Sequence, residues 1–263
     1  MPLQPPTPDP ALRAALSRRF GRIVVFSGAG MSADSGIPTF RSGSNGLWQE
    51  FDPSRLATPA AWRADPAMVW GWYEWRRGQV AQAAPNPGHL AVARLQQALG
   101  ASVITQNVDD LHERAGTADV LHLHGSLFAP RCSGCCRPHP PGAAPAKARL
   151  RLDPPRCTSC GGDVRPSVVW FGEALDPAVL GEAAQRIAAC DLLLVVGTSG
   201  VVQPAASLVG LAPADAVVVE VNPEPREPGA RPVHHLAMTA ASGLPMLAGL
   251  LLQPAPGNPP AGA

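Results

Sequence analysis

Short, continuous apolar runs alternate along the chain with longer segments of helical period. Ile23-Val24-Val25-Phe26, Leu192–Val196 and Ala216–Val219 have the length and β-branched content of strands covered on both faces. The pattern predicts a short helix over about 10–19, a strand over 22–26, helices over about 66–83 and 88–99, and a strand over 102–105. A strand over 120–123 and a Cys- and Pro-rich stretch at about 130–165 come next. Then follow a strand at 168–171, a helix at 177–190, a strand at 192–196, a helix at 204–211, a strand at 216–221 and a last helix at 244–252. Strands separated by helices predict an α/β fold, a Rossmann-like doubly wound parallel sheet. The stretches that break the alternation, about 42–84 and 130–165, are expected to form a smaller zinc-binding and helical lobe within one folded unit spanning 10–252. The Pro-, Gly- and Ala-rich ends, 1–9 and 253–263, are expected to be disordered tails.

Composition narrows the class. The chain has 263 residues, 46% of them hydrophobic, and no apolar run approaches 18 residues, which predicts a soluble protein and no membrane partner. A net charge of +1 lacks the basic field that nucleic-acid binding needs. The first residues, MPLQPPTPDP, show neither a basic nor an apolar segment of a secretory signal, so a cytoplasmic address is the default.

The first strand runs into Gly28-Ala29-Gly30 and then Met31–Arg41, GAGMSADSGIPTFR in all. Gly-x-Gly after a strand lets the backbone approach a pyrophosphate, and a following helix offers its N–H groups to it. No Gly-Lys-Ser/Thr follows, which excludes an ATPase-type phosphate loop. Phe40 and Arg41 instead place an aromatic ring and a guanidinium beside the cradle. The acidic residue of a hydride-transferring dehydrogenase is missing, because Glu50 has no strand before it; Asn222, after the strand at 216–221, is a better ribose ligand.

Two Cys-x-x-Cys pairs, Cys132/Cys135 and Cys157/Cys160, suit a tetrahedral zinc ion. Four thiolates leave no open position, so the metal's role is structural, folding a segment too polar to build its own core. Cys136 competes with Cys135 by a slip of register; redox pairs are the other reading.

Gln106-Asn107-Val108-Asp109 follows a strand at the carboxyl edge, where such sheets bind ligands. An Asn matches a carboxamide such as that of nicotinamide, and Asp109 would orient it or stabilise cationic charge; a helix-capping turn explains the same residues. His122 and His124 flank Leu123, and His124, before Gly125, sits at the strand tip as a candidate general base.

In this order, Gly28–Arg41, Gln106–Asp109, His124-Gly125, the Cys quartet, Val168–Glu173, Gly197-Thr198-Ser199 and Glu220–Pro223 resemble the sirtuins, NAD-dependent protein-lysine deacylases, over about residues 10–250. The resemblance implies His124 as catalytic base, with Asn107 and Asp109. It implies a cofactor pocket lined by Gly28, Ala29, Gly30, Ser32, Ser35, Ile37, Pro38, Phe40, Arg41 and Trp48. Gln106, Asn107 and Asp109 would hold the nicotinamide ribose region, and Gly197, Thr198, Ser199 and Asn222 the phosphates and adenosine ribose. Ala240 would cap the adenine, although Met238 replaces a family glycine nearby. Val169, Trp170, Phe171, Gly172 and Glu173 would offer an edge to which an acyl-lysine peptide adds as a strand. The reaction implied consumes NAD and yields free lysine, nicotinamide and an O-acyl-ADP-ribose; the partners are acylated lysines of proteins, and the enzyme is expected to be a monomer.

Tyr73 and Arg76 lie i, i+3 on one predicted helix face, where a phenol and a guanidinium can bind a carboxylate. A partly buried aromatic helix with Arg76 solvated is the plainer reading. The pair, with the small Ala57, resembles the sirtuin subclass that removes succinyl and malonyl groups, so removal of these, and of acetyl, is expected. An NAD-dependent protein ADP-ribosyltransferase is the alternative activity, and a non-catalytic zinc-ribbon module the alternative class.

Overall fold

The computed structural model describes residues 9–38, 56–143, 151–224 and 232–253. Phe40, Arg41 and Trp48, nearly all of both expected tails and the first part of the expected small lobe lie outside the described residues.

The chain order is α1 (Pro10–Ala15), β1 (Ile23–Ser27), α2 (Pro59–Ala64), α3 (Pro66–Gln82), α4 (Pro87–Leu99), β2 (Ser102–Thr105), α5 (Leu111–Arg114), β3 (Leu121–His122), β4 (Gly125–Cys132), β5 (Val164–Val168), α6 (Pro177–Ala188), β6 (Leu192–Val196), β7 (Val217–Val221), β8 (His234–Leu236) and α7 (Ala240–Leu251). Six strands make one parallel sheet in the order β3-β2-β1-β6-β7-β8. That is the doubly wound order of dinucleotide-binding folds, with the chain reversing direction across the sheet between β1 and β6.

The apolar runs form strands because both sheet faces are covered. Ile23 and Val25 point into one core with Leu95 of α4 and Leu244 and Leu247 of α7. Val24 and Phe26 point into the other with Ile187 of α6 and Leu208. A third core, built from α2, α3, β4 and β5, gathers Trp62, Trp70, Trp72, Leu127, Val164 and Trp170 into the small lobe. Helix starts follow local chemistry: Thr58, Asp65, Asn86 and Asp176 each accept a backbone N–H at a helix N-terminus that carries proline in its first turn.

Several expectations are corrected. The strand expected at 168–171 ends at Val168 and does not join the main sheet; β5 pairs antiparallel with β4 in a separate two-stranded sheet. Among the described residues directly after the Gly-x-Gly turn there is no long helix but two 3-10 turns, Ala29–Met31 and Ala33–Ser35, the second stopped by Gly36 in the left-handed region. The segment at 205–211 is likewise 3-10. The last helix begins at Ala240, ahead of Pro245, because Gly243 packs against Val221 and Leu236 of the sheet.

At the switch point the loops after β1 and β6 approach so closely that side chains cannot fit between them. Gly197 has φ +57, and a Cβ there would meet the Gly30 carbonyl carbon and the Met31 nitrogen at 2.5 Å; one on Gly30 would meet Gly197 Cα at 2.7 Å. Gly30 N–H donates to Gly197 O at 2.8 Å, and Gly28 N–H to Val196 O at 2.9 Å. Gly197→Ala is therefore expected to cost roughly 2–4 kcal/mol, read as a lowered thermal midpoint; an unchanged midpoint would contradict this contact.

Candidate functional site

The carboxyl ends of β1, β2, β3 and β6 converge on one crevice. Its floor is a buried hydroxyl network: Ser27 Oγ donates to Thr105 Oγ1 at 2.9 Å, Thr105 Oγ1 also accepts Asn107 N–H at 3.0 Å, and Ser27 Oγ lies 3.1 Å from His112 Nε2. His112 stacks edge-on against His89 with centroids 5.0 Å apart. Burial pushes His89 down to about 4 and His112 down to about 3, so both rings are neutral at pH 7.

Above this floor, Asn107 Nδ2 donates to Ser32 Oγ at 3.1 Å, and Ser32 Oγ donates to Asp109 Oδ2 at 3.0 Å. Burial raises the Asp109 carboxyl, against hydrogen bonds from Leu111 N–H and Ser32. Ser32, Asn107 and Asp109, expected separately as cofactor ligands, thus form one hydrogen-bonded trio. Gln106 Nε2 reaches across the switch point to Thr198 Oγ1 at 3.0 Å, and Asn222 Nδ2 donates to Thr198 O at 3.1 Å, joining the tips of β2, β6 and β7. Ser35 is held by Asn86, whose Nδ2 also donates to Met31 O at 2.9 Å. Asn86 was not among the expected site residues; its signal is Asn-Pro-Gly immediately before a helix. Ile37 packs on the small-lobe core. Ala240 is buried as the first residue of α7, its carbonyl packed against Gly88.

His124 is half-buried at the tip following β3. Its Nδ1 lies 2.9 Å from Gln106 O, a carbonyl that can only accept. Nδ1 therefore carries the proton and Nε2 the lone pair. Burial lowers its pKa below the ordinary histidine value, which keeps the ring neutral and able to accept a proton at pH 7. The glycine after it is required: Gly125 has φ +75, and a Cβ there would lie 1.9 Å from Ser167 O.

The expected substrate residues assemble beside His124. Val169 N–H donates to His124 O, and Phe171 N–H to Ala57 O, both at 2.9 Å. Phe171 is 47% exposed, whereas Trp170 is 2% exposed and packs 5.6 Å from Trp62 and 6.4 Å from Tyr73. Trp170 is thus a core residue and offers no side chain to a peptide. The Glu173 side chain is likewise engaged within the lobe. Its carboxylate accepts Arg165 Nη1 at 2.6 Å, Arg165 Nη2 at 2.9 Å and Trp170 N–H at 2.8 Å, and the Arg165 guanidinium lies 3.4 Å from the Trp170 ring centre. Glu173 and Arg165 brace the 169–173 turn, and Arg165 is a residue that spacing alone did not single out. Gly172, at φ +89, makes the turn.

Tyr73 is buried with its ring edge-on to Trp72 at 4.7 Å, and the Arg76 guanidinium lies 5.0 Å from the Trp72 ring centre. Burial raises the Tyr73 phenol despite the Arg76 charge, so it stays protonated. Burial lowers Arg76, opposed by Tyr73 and Asp109. Arg76 is therefore not the solvated residue of the plainer reading, and it is electrostatically coupled to the cofactor trio.

In the small lobe, the Sγ atoms of Cys132, Cys135, Cys157 and Cys160 all lie within 4.8 Å of one another, with Cys132–Cys160 at 3.4 Å and Cys135–Cys157 at 3.7 Å. A tetrahedral zinc with bonds of about 2.3 Å places its sulfurs roughly 3.8 Å apart, so the quartet fits the ion. Cys136 is exposed, has φ +60 and lies outside the cluster, which excludes the slipped register. Cys136→Ser is expected to retain one equivalent of zinc and Cys135→Ser to lose it, measured by metal content after dialysis; equal loss in both would overturn the ligand set.

Sheet order, crevice and quartet together define a zinc-bearing, dinucleotide-binding α/β protein. Comparison with known proteins narrows this further. Residues 28–204 match the sequence profile of the Sir2 family. The chain is 56% identical over 232 residues to NAD-dependent protein deacylase 1 of Pseudomonas aeruginosa, covering 86% of this chain and 92% of that protein. It is 51% identical over 231 residues to the NAD-dependent protein deacylase of Methylococcus capsulatus, covering 86% and 90%. The crystal structure of a Sir2 homolog–NAD complex superposes with a TM-score of 0.83 at 39% identity, covering 95% of this chain and 96% of that one. The chain belongs to the Sir2 family. Among the described residues, no helix is long and apolar enough to cross a membrane.

Proposed function

We propose that this protein is an NAD-dependent protein-lysine deacylase that acts on acidic acyl groups, succinyl and malonyl, as well as acetyl. The observation that carries the reading is His124: a neutral imidazole with its Nδ1 committed to Gln106 O, at a crevice bounded by the Ser32–Asn107–Asp109 trio and the turn bearing Phe171.

NAD supplies an activated glycosidic bond, whose cleavage releases nicotinamide and lets the acyl group pass from lysine to the ribose. The Asn107 amide matches a carboxamide, and Asp109 stabilises cationic charge that develops at the sugar. Thr198 and Asn222, at the ends of β6 and β7, would contact the phosphate and adenosine half, since a dinucleotide binds at the switch point of such sheets. His124 Nε2 takes a proton from a ribose hydroxyl, making it the nucleophile that captures the acyl carbon. The main chain beside Val169 and Phe171 receives the peptide, giving affinity tolerant of sequence. Cys132, Cys135, Cys157 and Cys160 would hold a zinc ion that braces the small lobe, a structural role. The quartet needs reduced thiols, which fits a cytoplasmic enzyme.

For the acyl group, Arg76 and Tyr73 supply a guanidinium fork and a phenol O–H, both suited to a carboxylate, and Ala57 leaves room beside them. Arg76→Met is expected to lower kcat/KM for a succinyl-lysine peptide at least about 30-fold, with less than about threefold loss on the acetyl-lysine peptide. The measurement is nicotinamide release together with peptide mass. Equal losses would refute the carboxylate role, and transfer of ADP-ribose to the peptide would refute deacylation itself.

A further inference from the structure

Two histidines stand two residues apart at the end of β3, and the mechanism above uses only His124. The other, His122, is half-buried with both ring nitrogens engaged: Nδ1 lies 2.9 Å from Asn107 O and Nε2 lies 2.7 Å from Glu113 Oε1. The paired residues thus grip consecutive carbonyls of one loop, His124 that of Gln106 and His122 that of Asn107. They differ on the far side of the ring. A backbone carbonyl and a carboxylate can only accept hydrogen bonds, so both flanks of His122 demand a donor. We propose that His122 is a positioning residue, held as an imidazolium that ties the Asn107 carbonyl to the Glu113 carboxylate and so fixes the loop carrying Asn107 and Asp109.

The surroundings support a charged ring. The titratable groups facing His122 are Glu113 and His112 on α5 and Asp109 on the loop before it. Burial opposes the charge. The Glu113 hydrogen bond, the Asn107 carbonyl and the charges of Glu113 and Asp109 outweigh it, and the pKa lies above the ordinary 6.5. Glu113 correspondingly lies below its ordinary value: burial works against that, and the His122 hydrogen bond leads the groups that overcome it. Neighbouring His112 is neutral and adds no competing charge.

The two histidines therefore sit in opposite protonation states for opposite purposes. His124 must be neutral to accept a proton, whereas His122 must be charged to hold its two acceptors. The sign for each follows. His124, with a lowered pKa, becomes competent as pH rises from the acid side through a value below 6.5. His122, with a raised pKa, gives its full hold below 6.5 and loses it as pH rises through its folded-state value. A bell-shaped kcat/KM for NAD follows, with its two limbs on either side of 6.5. If the upper limb belongs to the clamp, Glu113→Gln moves it toward acid.

This inference rests on the deacylase reading for its consequence but not for its test. In the ligand-free protein with labelled imidazoles at pH 6.5, NMR is expected to show His122 predominantly with both nitrogens protonated and His124 predominantly with Nδ1 alone protonated. A singly protonated His122 would overturn the proposal whatever the activity. Two substitutions then separate the arms of the clamp. His122→Asn places an amide donor near the position of Nδ1, while His122→Gln places one near Nε2. If the hold on Asn107 is what matters, the Asn variant should keep NAD affinity within about threefold by calorimetry, whereas the Gln variant should lose about tenfold. The upper pH limb should vanish in both. Equal affinities, or an upper limb that persists in both, would refute the positioning role. If NAD binds but no nicotinamide is released by the wild type, the deacylase reading fails while the NMR and calorimetric results stand.

Discussion

The close approach of the loops after β1 and β6 is the constraint on which the site depends. At that switch point Gly30 and Gly197 stand backbone against backbone, with a hydrogen bond of 2.8 Å between them. The contact sets where Thr198 lies, and Thr198 in turn accepts from both Gln106 and Asn222. Gln106 is the anchor for His124 through its carbonyl. A chain of three contacts therefore runs from a packing requirement between two glycines to the orientation of the His124 imidazole. The glycines of a Gly-x-Gly turn are usually read as making room for a pyrophosphate. Here they also make room for the neighbouring strand's loop, which explains why Gly197, far away in sequence, is needed as well.

The small lobe solves a different problem. Its chain is rich in proline and arginine and pairs only two short strands, β4 and β5, which alone would be marginal. Three devices compensate. The cysteine quartet ties the distal end, with Cys132 closing β4 and Cys157 just ahead of β5. A cluster of tryptophans from α2, α3 and the 169–173 turn fills the middle. At the proximal end, Arg165 holds Glu173 and the Val168 carbonyl while lying over Trp170. The turn that carries Phe171 is thus held by charge, ring and backbone together, and Phe171 N–H reaches Ala57 on the other segment of the lobe. The turn is therefore organised before anything binds to it.

How much of this was legible depended on whether the determining contacts were local. The parallel sheet was readable because Leu192–Val196 and Ile23–Phe26 are continuous apolar runs, and such runs require cover on both faces. The cysteine spacing was readable because each chelating pair is a local unit. What escaped was set by contacts distant in sequence. β4 escaped because Ala129-Pro130-Arg131 interrupts its apolar pattern, and its pairing with β5 crosses the zinc loop. β8 is three residues long and exists only because β7 offers an edge. The brace on the 169–173 turn also escaped, since nothing local reveals that Arg165, eight residues earlier, occupies the Glu173 carboxylate. His122 was legible as a candidate base but not as a clamp, because its partners Asn107 and Glu113 lie on other elements. Phe40, Arg41 and Trp48 lie outside the described residues and remain expectations of the resemblance alone.

The helix α3 links the two lobes electrostatically. Glu74 and Arg77 close a bidentate pair on it, with Arg77 Nε and Nη2 at 3.0 and 2.6 Å from the carboxylate, so that charge is satisfied within the helix. Arg76 is different. It stacks on Trp72, lies within the influence of Tyr73 and Asp109, and is desolvated enough for its pKa to fall. Tyr73, kept protonated by burial, adds a donor and no competing negative charge. Arg76 thus joins Tyr73 and Asp109 in one electrostatic cluster between helix α3 and the loop after β2.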